Sequence, residues 1–241
     1  MTPFSAFIGL ALSFLAASLA LYLLSCVTEA ETANVSFPST WNDVKLVAQT
    51  LSTYKEKHPW RVLLLFCSAY LYKQTFAIPG SALLNVLAGA LFGLQKAFGL
   101  VCFLTACGAS LCYCLSTLFG YPITQYYFKE RMDLFQAKVA ANSNGLFFFL
   151  LSLRIFPMTP NWLINVASPL VGVPIHLFYF SVLFGLMPYN LLCCHAGVVL
   201  SQLSSFGDLF TWNVLLQLVA LALGVSLPAL WMRFAQKRKV N

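Results

Sequence analysis

The chain has 241 residues, 60% of them hydrophobic and 9% charged, with a mean hydropathy of +0.79. A soluble globular domain carries about 25% charged residues, so this composition excludes a soluble surface, and with it a disordered chain, a coiled coil or a secreted disulfide scaffold. The net charge is +7, but Arg233, Lys237, Arg238 and Lys239 gather much of it in a tail, which is no nucleic-acid face.

Residues 4 to 26 are 23 positions without a charge, enough to cross a hydrocarbon core that takes about 20. They read as a first transmembrane helix, with a cleavable signal peptide as the rival that lacks a basic start. Residues 27 to 60 are polar and hold Asn34-Val35-Ser36, a glycosylation acceptor pattern if the segment is lumenal. Residues 62 to 92 are apolar but interrupted by Lys73-Gln74, Pro79-Gly80-Ser81 and Asn85. That stretch exceeds one crossing and falls short of two, which need about 40 residues and a turn. A re-entrant hairpin turning at Pro79 and Gly80 fits it, and a single helix kinked at Pro79 is the alternative.

Residues 97 to 119 form a full crossing, with Gly108 and Cys112 offering a small face to a neighbour. The link 120–145 carries Phe128, Met132, Phe135 and Val139 at helical spacing, which predicts an amphipathic helix along the interface. Residues 146 to 173 repeat the broken pattern with Arg154, Pro157, Pro160, Asn161 and Asn165. Residues 175 to 200 and 212 to 232 are full spans containing Pro188 and Pro228. The expected plan is a helix over 1–26, a polar segment over 27–60, a core over 61–200, a loop and last span over 201–232, and a basic tail over 233–241.

Shifting the chain by 80 residues lays Phe76 on Phe156, Leu83 on Leu163, Asn85 on Asn165 and Val86 on Val166, and sets Gln74 on Arg154. Each half is then a hairpin-like segment followed by a long span. One crossing separates the two hairpins, so they enter from opposite leaflets, the inverted-repeat plan of many transporters. The fold expected is all-α, an integral multipass bundle. The basic tail places the C-terminus in the cytosol, and counting back places the N-terminus there too.

Arg154 is the first candidate for function. An arginine at mid-bilayer costs about 2.5–3.5 kcal/mol on the insertion scale, and a phosphate would offset that through the bidentate fork of the guanidinium. The plainer reading is that it snorkels or caps the Pro157 break. Lys73 and Gln74 are weaker candidates at the equivalent place in the first hairpin. Asn85, Asn161 and Asn165 supply amides either to a polar path or to interhelical bonds. Pro79, Gly80, Pro157 and Pro160 would hold the breaks. No acid lies inside an apolar segment, which weakens ion-coupled transport and hydrolysis together. The eight cysteines lack metal-ligand spacing, so neither a metal nor a cofactor is expected.

Three runs are distinctive: Phe76-Ala77-Ile78-Pro79-Gly80-Ser81 with Asn85, Gly89 and Gly93; Gly108-Ala109-Ser110-x-Cys112-Tyr113; and Arg154-x-x-Pro157-x-x-Pro160-Asn161-Trp162-x-x-Asn165. They resemble the DedA superfamily, and within it the VTT-domain, SNARE-associated family of the transmembrane protein 41 branch, its A-type subgroup most closely. The resemblance covers residues 60 to 232. It implies two facing re-entrant hairpins, residence in the endoplasmic reticulum, and phospholipid scrambling of the kind linked to autophagosome and lipoprotein formation. Ser81 and Pro160 stand where bacterial relatives commonly have an acid and a second arginine, which disfavours proton coupling. The expectation is an energy-independent phospholipid scramblase and no enzyme, with membrane phospholipids as ligands, no nucleic acid, and membrane-protein partners and oligomeric state left open. The alternatives are a scaffold in organelle or vesicle biogenesis and a proton-coupled lipid-phosphate transporter.

Overall fold

The structure is a computed structural model that describes residues 2–28, 38–141, 145–155 and 159–202. Asn34, Pro157, the loop from 203 to 211, the span 212–232 and the tail 233–241 lie outside the described residues, within which the chain is helical and has no strand.

Helix α1, Pro3–Thr28, has no charged residue and turns large apolar side chains outward around its circumference, among them Phe4, Phe7, Leu12, Leu15 and Leu19. A helix apolar on every side is stable in lipid and not in water. It touches the rest of the chain along α3, Pro59–Thr75, and just past the end of α5, Leu94–Leu115, at residues 116–120 and the helix that follows them.

Helix α2, Trp41–Lys57, occupies much of the segment read from sequence as a polar stretch outside the core. A capping box starts it: the Asp43 N–H donates to Thr40 Oγ1 at 3.3 Å and the Thr40 N–H to Asp43 Oδ2 at 2.8 Å. Val44, Val47, Leu51 and Tyr54, spaced three, four and three, are buried, and the helix packs on α3 and on α4, Ser81–Phe92. The stripe escaped notice because the charged outer face lowers the average hydropathy of the whole segment. Lys55 Nζ donates to the Leu91 carbonyl, placing a cation at the C-terminal end of α4.

Residues 76 to 80 separate α3 from α4, so the stretch is two helices and no single kinked one. The turn begins before the expected Pro79. The Ile78 N–H donates to the Lys73 carbonyl at 3.0 Å and the Ala77 N–H to the Gln74 carbonyl at 3.3 Å, a Schellman ending with Ala77 at φ +53°. Gly80, at φ +104°, then precedes α4.

Helix α5 runs through a π-helical turn, Ser116–Gly120, directly into α6, Tyr121–Ala141. The helix thus continues past residue 119, where the span was expected to end, as one run over Leu94–Glu130. Of the predicted amphipathic stripe, Met132 is buried while Phe128 and Phe135 are exposed, and the helix kinks at Phe128. The second half comprises α7, Leu146–Ile155; α8, Asn161–Leu170; α9, Ile175–Gly185; and α10, Met187–Gln202. Helices α9 and α10 meet at 41° around Leu186. Pro188, in the first turn of α10, has no N–H to continue the ladder from α9.

Two buried clusters share α5. Val62, Phe66, Tyr70, Val86, Val101 and Cys194 belong to the first, and Ala106, Ala109, Leu150, Ile164, Phe178 and Val182 to the second. The halves pack alike: α3 lies on α5 as α7 lies on α9, while α4 packs on α10 and α8 on α5. Among the described residues two helices, α1 and the run from Leu94, are long and apolar enough to cross a membrane, and the bent α9–α10 pair makes a third if it is one span. The architecture is that of a multipass helical membrane protein.

Candidate functional site

The polar residues singled out from sequence separate into two buried clusters and a cleft, where one continuous path was expected. The physical reason is that buried amides and hydroxyls bond their nearest partners, each within its own helix pair.

The first cluster joins four helices. Tyr70 Oη on α3 donates to Asn85 Oδ1 on α4 at 2.8 Å and lies 2.7 Å from Thr105 Oγ1 on α5. Asn85 Nδ2 donates to Asn190 Oδ1 on α10 at 3.0 Å, and Asn190 Nδ2 faces Cys102 Sγ at 3.6 Å. With its carbonyl and its amide both engaged and 1% exposure, Asn85 is an interhelical tie and not a lining residue. This cluster forms where α4 and α10 cross at contact distance. A Cβ on Gly89 would stand 2.0 Å from the Cys194 carbonyl oxygen, and one on Gly197 1.9 Å from that of Val86.

The second cluster is built in the same way around Arg154. Its Nε donates to Ser181 Oγ on α9 at 3.1 Å and its Nη1 to Asn165 Oδ1 on α8 at 3.2 Å. The guanidinium carbon stands 4.8 Å from the centroid of the buried Phe178 ring, a cation–π contact strengthened by desolvation. Arg154 is 3% exposed, so it does not snorkel, and its Nη2 has no hydrogen-bond partner among the described residues. The four acids among the described residues, Asp43, Glu56, Glu130 and Asp133, lie on α2 and α6, so no carboxylate shares the helices of this cluster.

The correspondence reaches single residues. In each half a side chain of the first arm bonds both an asparagine of the second arm and a hydroxyl of the long span: Tyr70 with Asn85 and Thr105, Arg154 with Asn165 and Ser181. Gln74, which the 80-residue shift lays on Arg154, sits over Gly108 of α5, its Cβ 2.6 Å from where a glycine Cβ would be. Arg154 sits likewise over Gly185 of α9, at 2.8 Å.

Lys73 belongs to neither cluster. It is 5% exposed, its Nζ has no partner among the described residues, and it lines a cleft of about 580 Å³ with Ser39, Tyr72, Pro79, Gly80 and Leu83. Asn161 opens α8 after Pro160, and its Oδ1 is buried without a partner among the described residues. Sequence reasoning missed Tyr70, Thr105, Ser181 and Asn190. The last two could have been found as isolated polar residues within an apolar span.

A family profile for the VTT domain matches residues 78–199. Among similar proteins, transmembrane protein 41B of Homo sapiens is 34% identical over 91% of this chain and 77% of its own length, and that of Danio rerio is 35% identical over 88% and 75%. An uncharacterized membrane protein of Arabidopsis thaliana is 36% identical over 95% of the chain and 79% of its own. No solved structure matches. Broken helix pairs, long apolar helices and the extent of these likenesses agree, and the chain belongs to the VTT-domain family, in the transmembrane protein 41 branch, as an integral membrane protein.

Proposed function

We propose that the protein is an energy-independent phospholipid scramblase of the endoplasmic reticulum. In this reading α3–α4 and α7–α8 are re-entrant hairpins that enter from opposite leaflets, and head groups cross between them, past the two buried cations, while acyl chains stay in lipid. Both termini face the cytosol. The observation that supports the reading best is the pair of cations at the ends of the first arms. Lys73 and Arg154 are buried, each keeps a nitrogen without a partner among the described residues, and no carboxylate lies on their helices. A buried cation in that condition is stabilised by an anionic oxygen, and the phosphate is the anion every phospholipid carries. The lack of an intramembrane acid weighs against proton coupling, and no covalent step is invoked.

The test is reconstitution of the purified chain into vesicles holding fluorescent phospholipid in both leaflets, followed by a reductant that cannot cross the membrane. Scrambling brings nearly all of the label within reach, whereas signal that stops at the outer-leaflet fraction, as in empty vesicles, refutes it. Arg154→Met should slow exchange. A membrane scaffold would show no exchange in either protein, and a proton-coupled carrier would lose its activity when the pH gradient is collapsed. Cysteines placed at the two ends of each hairpin should label from one side, and labelling from opposite sides would refute re-entry.

A further inference from the structure

We propose that α2 walls a water-filled vestibule that descends beside the first hairpin to the middle of the bilayer and ends at Lys73, whose ammonium there holds a phosphate group. The proposal rests on the re-entry of α3–α4, and it adds a wet route to the turn of that hairpin and an anion bound at its floor.

The depth of the turn is read from α1. Phe14 meets Phe76 edge-on with ring centroids 5.0 Å apart, and Ser18 Oγ lies 2.8 Å from Tyr72 Oη, so α3 ends beside the middle of α1. From Tyr72 back to Pro59 is about 20 Å of helix, more than half of a hydrocarbon core about 30 Å thick. Helix α2 runs the same course in reverse. Pro38 and Ser39, just before it, line the cleft with Lys73, Pro79 and Gly80, while at its other end Lys55 Nζ donates to the Leu91 carbonyl and His58 leads into α3. It therefore reaches from the turn to the membrane surface, the lumenal one in the proposed topology.

Two helices at one depth thus meet opposite surroundings. On α1, Leu15, Leu19 and Leu23 are exposed, as lipid requires. On α2 the exposed positions include Gln49, Ser52, Thr53 and Glu56, which share one helical face, and Asp43 and Lys45 lie nearer to the turn; Leu46 is the one apolar residue among its described exposed positions. A polar face is stable in water, and charged side chains at mid-depth are costly in lipid. Non-helical backbone is tolerated at that depth where it lines a water-filled cavity, and residues 38–40 and 76–80 are non-helical.

The floor suits a phosphate. The cleft measures about 580 Å³, and Lys73, 5% exposed, brings to it an ammonium without a partner among the described residues. Helix α4 begins at the cleft with no side chain capping it, so its free N–H groups favour negative charge beside the ammonium. A Cβ on Gly80 would meet Lys73 Cε at 3.7 Å, which sets the lysine stem at the start of that helix. Among the described residues no carboxylate lines the cleft: Asp43 commits Oδ2 to the N–H groups of Ser39 and Thr40. The phosphate arrives through water and brings no acyl chain into the cleft. A soluble phosphate and the head group of a phospholipid in passage, its chains lying across the bilayer, share this chemistry.

The experiment uses the full chain in vesicles of digalactosyldiacylglycerol, which has no phosphate. A sulfonate-bearing methanethiosulfonate, which does not cross the membrane, is added outside, and labelling rates are read from peptide masses. Cysteines are introduced singly at Gln49 and Thr53 on α2, at Ser39 beside the cleft and at Leu19 on α1. The first three face one compartment, so mixed insertion scales them alike, and all three should react. Leu19→Cys should be at least about a hundredfold slower, because a thiol in lipid does not ionise. Saturating inorganic phosphate, or phosphatidylcholine in place of the galactolipid, should slow Ser39→Cys roughly tenfold by occupying the cleft and leave Thr53→Cys unchanged. Lys73→Gln should abolish the slowing, with Thr53→Cys in the same background reporting an intact vestibule, and Lys73→Arg should retain it. Slowing by the inorganic ion alone supports the site and assigns it to soluble phosphate, and slowing by the phospholipid alone supports it and assigns it to the head group. Slowing by neither, or slowing that survives Lys73→Gln, overturns the phosphate site. Cysteines on α2 or at Ser39 as inert as Leu19→Cys overturn the vestibule. Re-entry fails by a different result, the labelling of the two hairpin ends from opposite sides, and a chain that labels as expected without exchanging lipid refutes the scramblase and leaves the vestibule standing.

Discussion

The crossing of α4 and α10 leaves no room for a side chain, and Gly197→Ala tests it directly. The new methyl would stand 1.9 Å from the Val86 carbonyl oxygen and 2.9 Å from the Ala90 nitrogen. Both are backbone atoms, so no rotamer change relieves the clash. Ordinary contact begins near 3.4 Å, so the helices must part by up to 1.5 Å, the difference between 3.4 and 1.9. Overpacking of this kind costs about 1–3 kcal/mol, and a gap of about 1 Å elsewhere along the crossing forfeits up to half of the dispersion energy there. The same movement stretches the 3.0 Å bond between Asn85 and Asn190, and a buried polar group left unpaired costs about 1–3 kcal/mol. Alanine returns roughly 1 kcal/mol through helix propensity. The net destabilisation is about 2–4 kcal/mol, and at about 2–4 °C per kcal/mol for a chain of this size the apparent melting point falls by roughly 4–16 °C.

Tryptophan fluorescence of the purified protein in detergent, scanned at a fixed rate, measures that shift. Gly99→Ala is the control, because nothing lies within 4 Å of a Cβ there and the site is exposed; it should be neutral or stabilising. Gly89→Ala strikes the same crossing from the other helix, 2.0 Å from the Cys194 oxygen. One separation accommodates both methyls, so the double variant should lose less than the sum of the singles. A Gly197→Ala protein that melts within a degree of the wild type, or strict additivity of the pair, would refute the backbone contact.

Asn85→Ala removes the acceptor of Tyr70 and the donor to Asn190, so it should lower stability by about 2–4 kcal/mol, at roughly 1–3 kcal/mol for each stranded group, read in the same melting assay. Ala77→Gly should raise stability by about 0.5–1 kcal/mol: it relieves roughly 1–2 kcal/mol of left-handed strain at φ +53° against the added chain entropy of glycine; a fall in melting point would refute the strain. The N–H groups of Ser39, first, and Thr40 hold the exposed Asp43 carboxyl below its ordinary range. The capping box therefore contributes fully above the unfolded carboxylate pKa of about 3.9 and is lost as pH falls through the lower folded value. Circular dichroism should show Asp43→Asn to be already weakened at neutral pH and less sensitive to acid than the wild type.

The helical class and the breaks near Pro79 and Pro160 were legible because each leaves a local mark: an apolar run or a helix breaker. Arg154 was legible for the same reason, as a charge within a long apolar stretch. Helix α2 was not read as part of the core, because its buried face is four residues among many polar ones and only a partner surface gives that stripe meaning. Nor was the fate of Asn85. Whether an amide ties helices or lines a path depends on Tyr70, Thr105 and Asn190, which lie 15, 20 and 105 residues away in sequence. The true turn at Ala77 was hidden because the residue in the left-handed position is not the expected glycine.

The two halves share a framework and differ in what it can offer an anion. Tyr70 has one O–H, which the Asn85 carbonyl accepts, so the first cluster is a neutral lock. Arg154 presents five N–H donors in a fork, and with Nε and Nη1 engaged by Ser181 and Asn165, Nη2 is left over. Among the described residues of the first half the donor without a partner is instead Lys73, three residues beyond Tyr70, at the cleft beside the break. If head groups pass between the halves, the two sides do not receive them alike. The ammonium of Lys73 is a single point charge on a flexible stem that can follow a moving phosphate, while the guanidinium is held by two bonds and a ring. Exchanging the two cations, as Lys73→Arg with Arg154→Lys, preserves net charge and should still impair passage, because lysine cannot reproduce both of the bonds that hold Arg154 and also keep a free donor. A doubly exchanged protein that moves lipid at the wild-type rate would mean that charge alone matters and that the geometry of the second cluster does not.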